Sequence, residues 1–92
     1  MIRRIRHRGL KKLYENDDAS RVNAQHVEKL REILLVLDAA SAPNDTDLPG
    51  YKLHRIKPAK DPRWSVWVSG NWRVTFRFEG SNVTDVDYED YH

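Results

Sequence analysis

The chain has 92 residues, a net charge of +2 and a hydrophobic content of 39%, which together indicate one folded domain spanning residues 1–92. It contains no cysteine, which excludes disulfide frameworks and thiolate metal sites and favours a cytoplasmic location. No apolar run approaches the ~18 residues of a membrane span. The basic start lacks the apolar segment of a signal peptide, so we expect no contact with a membrane.

Charge is distributed in blocks along the chain. Residues 1–12 carry six cations and no acid, and residues 51–77 carry seven cations against one acid. Residues 13–50 carry three cations against eight acids, and five more acids follow Arg77. Such blocks predict a polyanion-binding surface and a separate acidic surface. Uneven charge is also common in small domains, so the pattern alone identifies no ligand.

The first half of the chain predicts an edge strand and two helices. Ile2–His7 fits a short edge strand whose cations discourage pairing with another sheet. Gly9–Glu15 fits a short helix. Asn23 is suited to cap a second helix that lasts to about Ala40. The apolar side of this helix is formed by residues at helical spacing, namely Val27, Leu30, Ile33, Leu34 and Leu37.

The second half predicts four strands. Tyr51–Ile56 fits a strand with His54 and Tyr51 on opposite faces, and a basic loop follows it. Trp64–Phe78 fits a β-hairpin interrupted at residues 69–71. Val83–Tyr88 fits a last strand. In the second arm of the hairpin, apolar residues alternate with Arg73, Thr75 and Arg77, so one face is apolar and the other cationic.

The predicted element order is β-α-α-β-β-β-β. Four consecutive strands can form an antiparallel meander, and two helices can cover one of its faces. The sequence therefore predicts a small single α+β domain, with a mostly antiparallel sheet and both helices packed on one side.

Several side chains are suited to work on one phosphodiester. Two imidazoles can hold one neutral and one protonated form near neutral pH, as a general base and a general acid require. Cations offset the charge that develops in the transition state. RNA supplies its own nucleophile, the ribose 2′-hydroxyl, and no carboxylates have metal-ligand spacing, so we expect neither metal nor cofactor. The candidates are His54, Lys57, Lys60, Arg63, Arg73, Asp90, Tyr91 and His92.

Each candidate also has a purely structural explanation. A histidine or arginine in a strand is commonly packed or solvated, and cations in a loop are commonly hydrated. A residue at the end of a chain is commonly flexible. His7 and His26 are assigned to the surface without a role.

Four segments together form a recognisable pattern, namely the opening MIRRIRHRGLK, Tyr51–Lys57 (YKLHRIK), Trp64–Phe78 (WSVWVSGNWRVTFRF) and Tyr88–His92 (YEDYH). In this order they resemble the HigB toxins of the RelE/ParE superfamily. The resemblance spans nearly the whole chain. It implies a RelE-like fold and a toxin of a type II toxin–antitoxin system. It also implies a ribosome-dependent endoribonuclease, an mRNA interferase that cuts mRNA in the decoding site.

The resemblance also implies roles and partners. The catalytic residues of the family correspond here to His54, Arg73, Asp90, Tyr91 and His92. A substrate-binding residue of the family corresponds to Lys57. Lys60 and Arg63 extend the substrate-binding set as cations of the basic loop. The partners implied are the ribosome, mRNA and a helix-turn-helix antitoxin of the HigA type, through which alone operator DNA would be contacted.

Two other functions fit the same pattern. One is a ParE-like toxin that binds and inhibits a topoisomerase without cutting nucleic acid, since a fold does not determine a function. The other is an RNA-binding module that stacks bases on Trp67 and Tyr91. Two antitoxin surfaces also remain open, the acidic stretch Glu15–Asp47 and the cationic sheet face.

Overall fold

Alternating apolar side chains bury one face of a four-stranded sheet beneath two helices. The computed structural model describes residues 1–56 and 62–91. Its elements are α1 (Arg8–Asn16), α2 (Val27–Ala39), β1 (His54–Ile56), β2 (Arg63–Ser69), β3 (Trp72–Glu79) and β4 (Asn82–Asp90). The strands are antiparallel in the order β1-β2-β3-β4. This arrangement confirms the predicted α+β fold with an antiparallel meander.

The core lies between this sheet and the two helices. Val66, Val74 and Phe76 on the sheet are fully buried, as are Leu30 and Ile33 of α2. The predicted hairpin is confirmed, with Val66 opposite Val74 in its register. Within the described residues, neither α1 nor α2 is long and apolar enough to cross a membrane.

The N-terminal segment runs along the outer edge of β4 without forming a continuous strand. Ile2 and Ile5 are buried and make isolated parallel bridges with Val83 and Val86. Both isoleucines face the core although they are three residues apart, which a regular period of two does not allow. The segment therefore bends between its two bridges, and the predicted strand over Ile2–His7 is reduced to them.

Side-chain and backbone caps set the limits of α1. His7 Nδ1 accepts a hydrogen bond from the backbone N–H of Leu10 at 3.1 Å. Asp17 ends the helix in the left-handed region with φ of 55°. Gly9 sits where a Cβ atom would lie 2.4 Å from the carbonyl oxygen of Arg21. Only glycine permits this close approach between α1 and the following loop.

Asn23, predicted to cap the second helix, instead caps a 3₁₀ turn that precedes the α-helix. Asn23 accepts a hydrogen bond from Gln25 N–H, and the turn Ala24–His26 leads into α2. This turn directs His26 into the core, where its ring is 6% exposed and contacts Tyr88. The assignment of His26 to the surface was therefore wrong. Burial in this cluster raises the pKa of the Tyr88 phenol.

Two strand limits differ from those predicted. Lys52 has φ of 49°, which interrupts the extended backbone, so β1 begins only at His54. At the other end of the sheet, β4 extends to Asp90 and contains a bulge at Asp85, which has φ of 51°. Asp tolerates the left-handed region better than most side chains do.

Candidate active site on the open sheet face

We call the side of the sheet that faces away from the helices the open face. Residues directly opposite each other in antiparallel strands share a face, so the register decides membership. The open face carries His54, Ile56, Arg63, Ser65, Trp67, Arg73, Thr75, Arg77, Thr84, Asp87 and Glu89. It therefore has the predicted arginines, together with two carboxylates contributed by β4.

His54 and Arg73 both neighbour Ser65 of β2 on the open face. His54 is exposed on β1 and lies opposite Ser65. Arg73, on β3, donates from Nη1 to Ser65 Oγ at 3.1 Å and to the Lys52 carbonyl oxygen at 3.4 Å. The guanidinium therefore reaches over β2 to the chain segment that leads into His54. Ser65 lies between the two residues, is 1% exposed and was not among the predicted site residues.

Arg63 is held at the centre of the open face. It is the first residue of β2, not the loop residue that was predicted. Its Nη2 donates to Thr75 Oγ1 at 2.9 Å and to the Asp85 carbonyl oxygen at 3.0 Å. Thr75 in turn donates to Glu89 at 2.5 Å. These contacts fix a cation beside Arg73 and give Arg63 an anchoring role within the sheet.

The charges of Arg63 and Arg73 both act on the pKa of the Tyr91 phenol. The Tyr91 backbone N–H donates to the Asn71 carbonyl oxygen at 2.7 Å, and the Tyr91 side chain is 41% exposed. Burial is the main effect that raises the pKa of this phenol, followed by the charge of Glu89, whereas Arg63 and Arg73 lower it. The net rise keeps the hydroxyl protonated at neutral pH. Tyr91 is therefore suited to donate a hydrogen bond and unsuited to act as a base.

Asp90 does not lie on the open face. It lies opposite Trp72, whose ring packs against the core beside Tyr88. Its charge contributes to the raised pKa of the Tyr88 phenol, which lies on the helix side of the sheet. Neighbouring residues of a strand point to opposite faces, so Asp90 does not share the open face. Its catalytic role remains a prediction from the resemblance.

Three predicted site residues fall outside the part of the chain that the structure describes. They are Lys57 and Lys60 of the substrate-binding set and His92 of the catalytic set. Their roles stay predictions.

An aromatic side chain with a cation above it borders the site. Lys52 Nζ lies 4.3 Å from the centroid of the Trp67 ring, and Trp67 Nε1 donates to the Gly70 carbonyl oxygen at 2.9 Å. A fixed, half-buried indole next to arginines is suited to stack a nucleic-acid base. Lys52 was not predicted to belong to the site. Its left-handed backbone brings it there, and alternation along a strand does not reveal such a position.

The bulge of β4 anchors arginines from three parts of the chain. Arg77 Nε donates to the Asp85 carboxylate at 2.7 Å, and Arg4 lies 3.4 Å from the same group. The Asp85 carbonyl oxygen accepts the hydrogen bond from Arg63. The hydrogen bond from Arg77 is the main cause that lowers the pKa of the Asp85 carboxyl, with smaller contributions from the charges of Arg77, Arg4 and Arg6.

We expect Asp85→Asn to lower the free energy of unfolding at neutral pH by about 1–2 kcal/mol, because a hydrogen bond to a charged group is weakened. Asparagine also tolerates the left-handed backbone, so loss of the charge dominates the effect. Because the pKa of the Asp85 carboxyl is lower in the folded state, its ionised form stabilises the fold at pH values above the unfolded pKa of about 3.9. This stabilisation is lost as the pH falls through the folded-state pKa. The difference in free energy of unfolding between the parent and Asp85→Asn should therefore become smaller in acid. Urea unfolding at several pH values measures this difference.

The matched control is Asp87→Asn on the same strand. Asp87 accepts a hydrogen bond from the adjacent Tyr88 N–H, and no arginine pairs with it among the described residues. This control should lose less stability than Asp85→Asn. Equal losses with the same pH dependence would contradict the role given to Asp85.

In the described ranges, no three His, Asp or Glu side chains are grouped as metal ligands.

Comparisons with known proteins point to one family. A family model described as the RelE-like toxin of the type II toxin-antitoxin system HigB matches residues 3–92. The chain is also 38% identical over 92 residues to the Endoribonuclease HigB of Proteus vulgaris, and the match covers 100% of both chains. This chain therefore belongs to the HigB-like family of RelE-like toxins of type II toxin–antitoxin systems.

Proposed function

We propose that this protein is a ribosome-dependent endoribonuclease that cuts mRNA in the decoding site. Its substrate is a phosphodiester whose neighbouring ribose 2′-hydroxyl is the nucleophile. The protein acts by acid–base chemistry that uses no metal ion. Its products are a 2′,3′-cyclic phosphate and a 5′-hydroxyl end.

The reaction needs one base, one acid and a cation on the phosphate. The base removes the proton of the 2′-hydroxyl, and the freed oxygen attacks phosphorus. The bond from phosphorus to the 5′-oxygen then breaks, and the acid protonates that oxygen. His54 and His92 supply the base and the acid. The experiments below do not depend on which of the two histidines has which role. Arg73 offsets the charge on the phosphoryl oxygens, and Tyr91 donates a hydrogen bond to the same group.

The observation that carries the proposal is the convergence of His54 and Arg73 on Ser65. An imidazole and a guanidinium on one exposed sheet face match the requirements of metal-free phosphodiester cleavage. The raised pKa of the Tyr91 phenol, on which the charges of Glu89, Arg63 and Arg73 act, supports a neutral hydrogen-bond donor. The name of the relative from Proteus vulgaris supports the reaction class.

The test is cleavage of a defined message by the purified protein in a reconstituted translation system. We expect new 5′ ends within the translated region, bearing a 5′-hydroxyl, together with upstream fragments ending in a cyclic phosphate. Message without ribosomes should stay intact. For metal dependence, the toxin is treated with EDTA and desalted before addition, because ribosomes themselves need magnesium. Its activity should be unchanged by this treatment.

Two results would overturn the proposal. One is an intact message in the presence of active ribosomes, combined with inhibition of supercoiling by gyrase, which would assign a topoisomerase inhibitor. The other is tight, salt-sensitive RNA binding without any cleavage, which would assign an RNA-binding module.

We further propose that the antitoxin partner is a helix-turn-helix protein of the HigA type encoded beside this toxin. The type II toxin family implies an antitoxin, and the resemblance supplies the finer class. Expression of the toxin should arrest growth, and expression of the neighbouring reading frame with it should restore growth. A neighbouring protein without any neutralising effect would contradict this assignment.

A further inference from the structure

A basic concavity lies between the N-terminal segment and α1, away from the candidate active site. Its volume is ≈ 560 Å³. Five exposed cations line it against one carboxylate, that of Glu15. The cations are Arg3, Arg4, Arg6, Arg8 and Lys11.

Most of these cations form no ion pair with an acidic residue in the part of the chain that the structure describes. Arg4 pairs with Asp85 at 3.4 Å. Within the described residues, the ion pairs found do not include Arg3, Arg6, Arg8 or Lys11. Like charges held together in this way repel one another, and a bound polyanion would relieve the repulsion.

The cations of α1 stand where a helix normally carries acids. Arg8 and Lys11 lie in the first turns of α1, whose first turn contains no acidic residue. A cation near the N-terminus of a helix opposes the helix dipole, which destabilises the helix. Core packing does not require this arrangement, because both side chains are exposed. The stability of α1 therefore does not explain the positions of these charges.

The concavity is too far from His54 to contact the same phosphodiester. The N-terminal segment pairs with β4, whereas His54 lies on β1 at the opposite edge of the sheet. Four strand spacings separate the two, which is about 19 Å. A ligand in the concavity is therefore a different part of the substrate assembly from the phosphodiester that is cut.

We propose that this concavity is a second RNA-binding site, which holds the phosphate backbone of a folded RNA while the open face holds the strand to be cut. Four of its five cations are arginines, whose planar guanidinium groups bind phosphate oxygens in pairs. Under the proposed function, that folded RNA is ribosomal RNA beside the decoding site. The identity of the RNA rests on that function, but the binding of RNA backbone does not.

The test compares Arg3→Glu and Lys11→Glu with the matched charge reversal Arg21→Glu. Arg3 and Lys11 belong to different elements, so one local folding defect does not explain both. Arg21 is exposed and lies outside the concavity. All variants are made in the His54→Ala background, which removes the candidate catalytic imidazole. Binding to purified 70S ribosomes is measured by sedimentation at several salt concentrations, after thermal unfolding has shown that each variant folds.

Loss of one phosphate contact should weaken ribosome binding about fivefold at 0.15 M salt and reduce the slope of log K against log salt by about 0.7–0.9. We expect both changes for Arg3→Glu and Lys11→Glu, and neither for Arg21→Glu. In the background that retains His54, the same two variants should raise the apparent KM for ribosomes and leave kcat unchanged.

Unchanged ribosome binding by both folded variants would overturn the inference. If the same variants instead lost affinity for the purified antitoxin, the concavity would be assigned to an acidic protein segment. The experiment distinguishes a failure of the second RNA-binding site from a failure of the proposed function. A parent protein that binds ribosomes through Arg3 but never cuts mRNA would refute the function and support the second site.

Discussion

Replacing His54 with alanine should lower the rate of message cleavage by about 10²–10⁴-fold, the usual contribution of a general acid or base. His54 is exposed at the edge of the sheet, so its removal should change stability by less than about 0.5 kcal/mol. The rate is measured by single-turnover cleavage on programmed ribosomes with mapped 5′ ends. Thermal unfolding of the same samples separates a catalytic loss from a folding defect.

Arg55→Ala is the matched control for this variant. Arg55 is the next residue of β1, is also exposed, and lies opposite Trp64, whose ring packs against the core side of the sheet. Its guanidinium carbon lies 5.9 Å from the centre of that ring. The control removes a charged edge residue but leaves the open face intact, so cleavage should stay close to that of the parent. Equal rates for His54→Ala and the parent would eliminate His54 from the mechanism.

Replacing Arg73 with alanine should lower the cleavage rate by about 10²–10³-fold, as expected when one donor to a developing oxyanion is removed. Arg73 also donates to Ser65 and to the Lys52 carbonyl oxygen, so the alanine variant can loosen β1 as well. Arg73→Lys keeps a positive charge but cannot form bidentate hydrogen bonds. It should therefore recover the unfolding midpoint more fully than it recovers cleavage.

A double variant tests whether the two side chains act on one phosphodiester. If they do, His54→Ala combined with Arg73→Ala should be little slower than the slower single variant, because residues that act as a unit are not additive. The control double variant, Arg73→Ala with Arg55→Ala, should show additive effects. Full additivity for His54 and Arg73 would argue that they contribute to separate steps.

The open face was largely predictable because its periodicity is strong. Alternating apolar and polar residues along Trp72–Glu79 determine which side is buried. The antiparallel meander then brings β1 and β3 to either side of β2. His54 and Arg73 could be assigned to one face from these two facts.

Other features depend on single backbone angles or tertiary contacts that local patterns do not encode. The positive φ of Lys52 shortens β1 and carries that lysine to Trp67. The bulge at Asp85 shifts the register of β4 and makes its carbonyl oxygen available to Arg63. His26 looked like a surface histidine because its burial depends on a 3₁₀ turn and on Tyr88, which lies 62 residues away in the sequence.

The pairing of the N-terminal segment with β4 has a consequence for biosynthesis. Ile2 and Ile5 are synthesised about 80 residues before their partners Val83 and Val86. β4 also lies between that segment and β3, so the sheet cannot close until β4 is available. A nascent chain that ends before Asn82 lacks both pairings of β4 and does not yet contain Asp87, Glu89 or Tyr91. The open face is therefore incomplete until β4 has been synthesised.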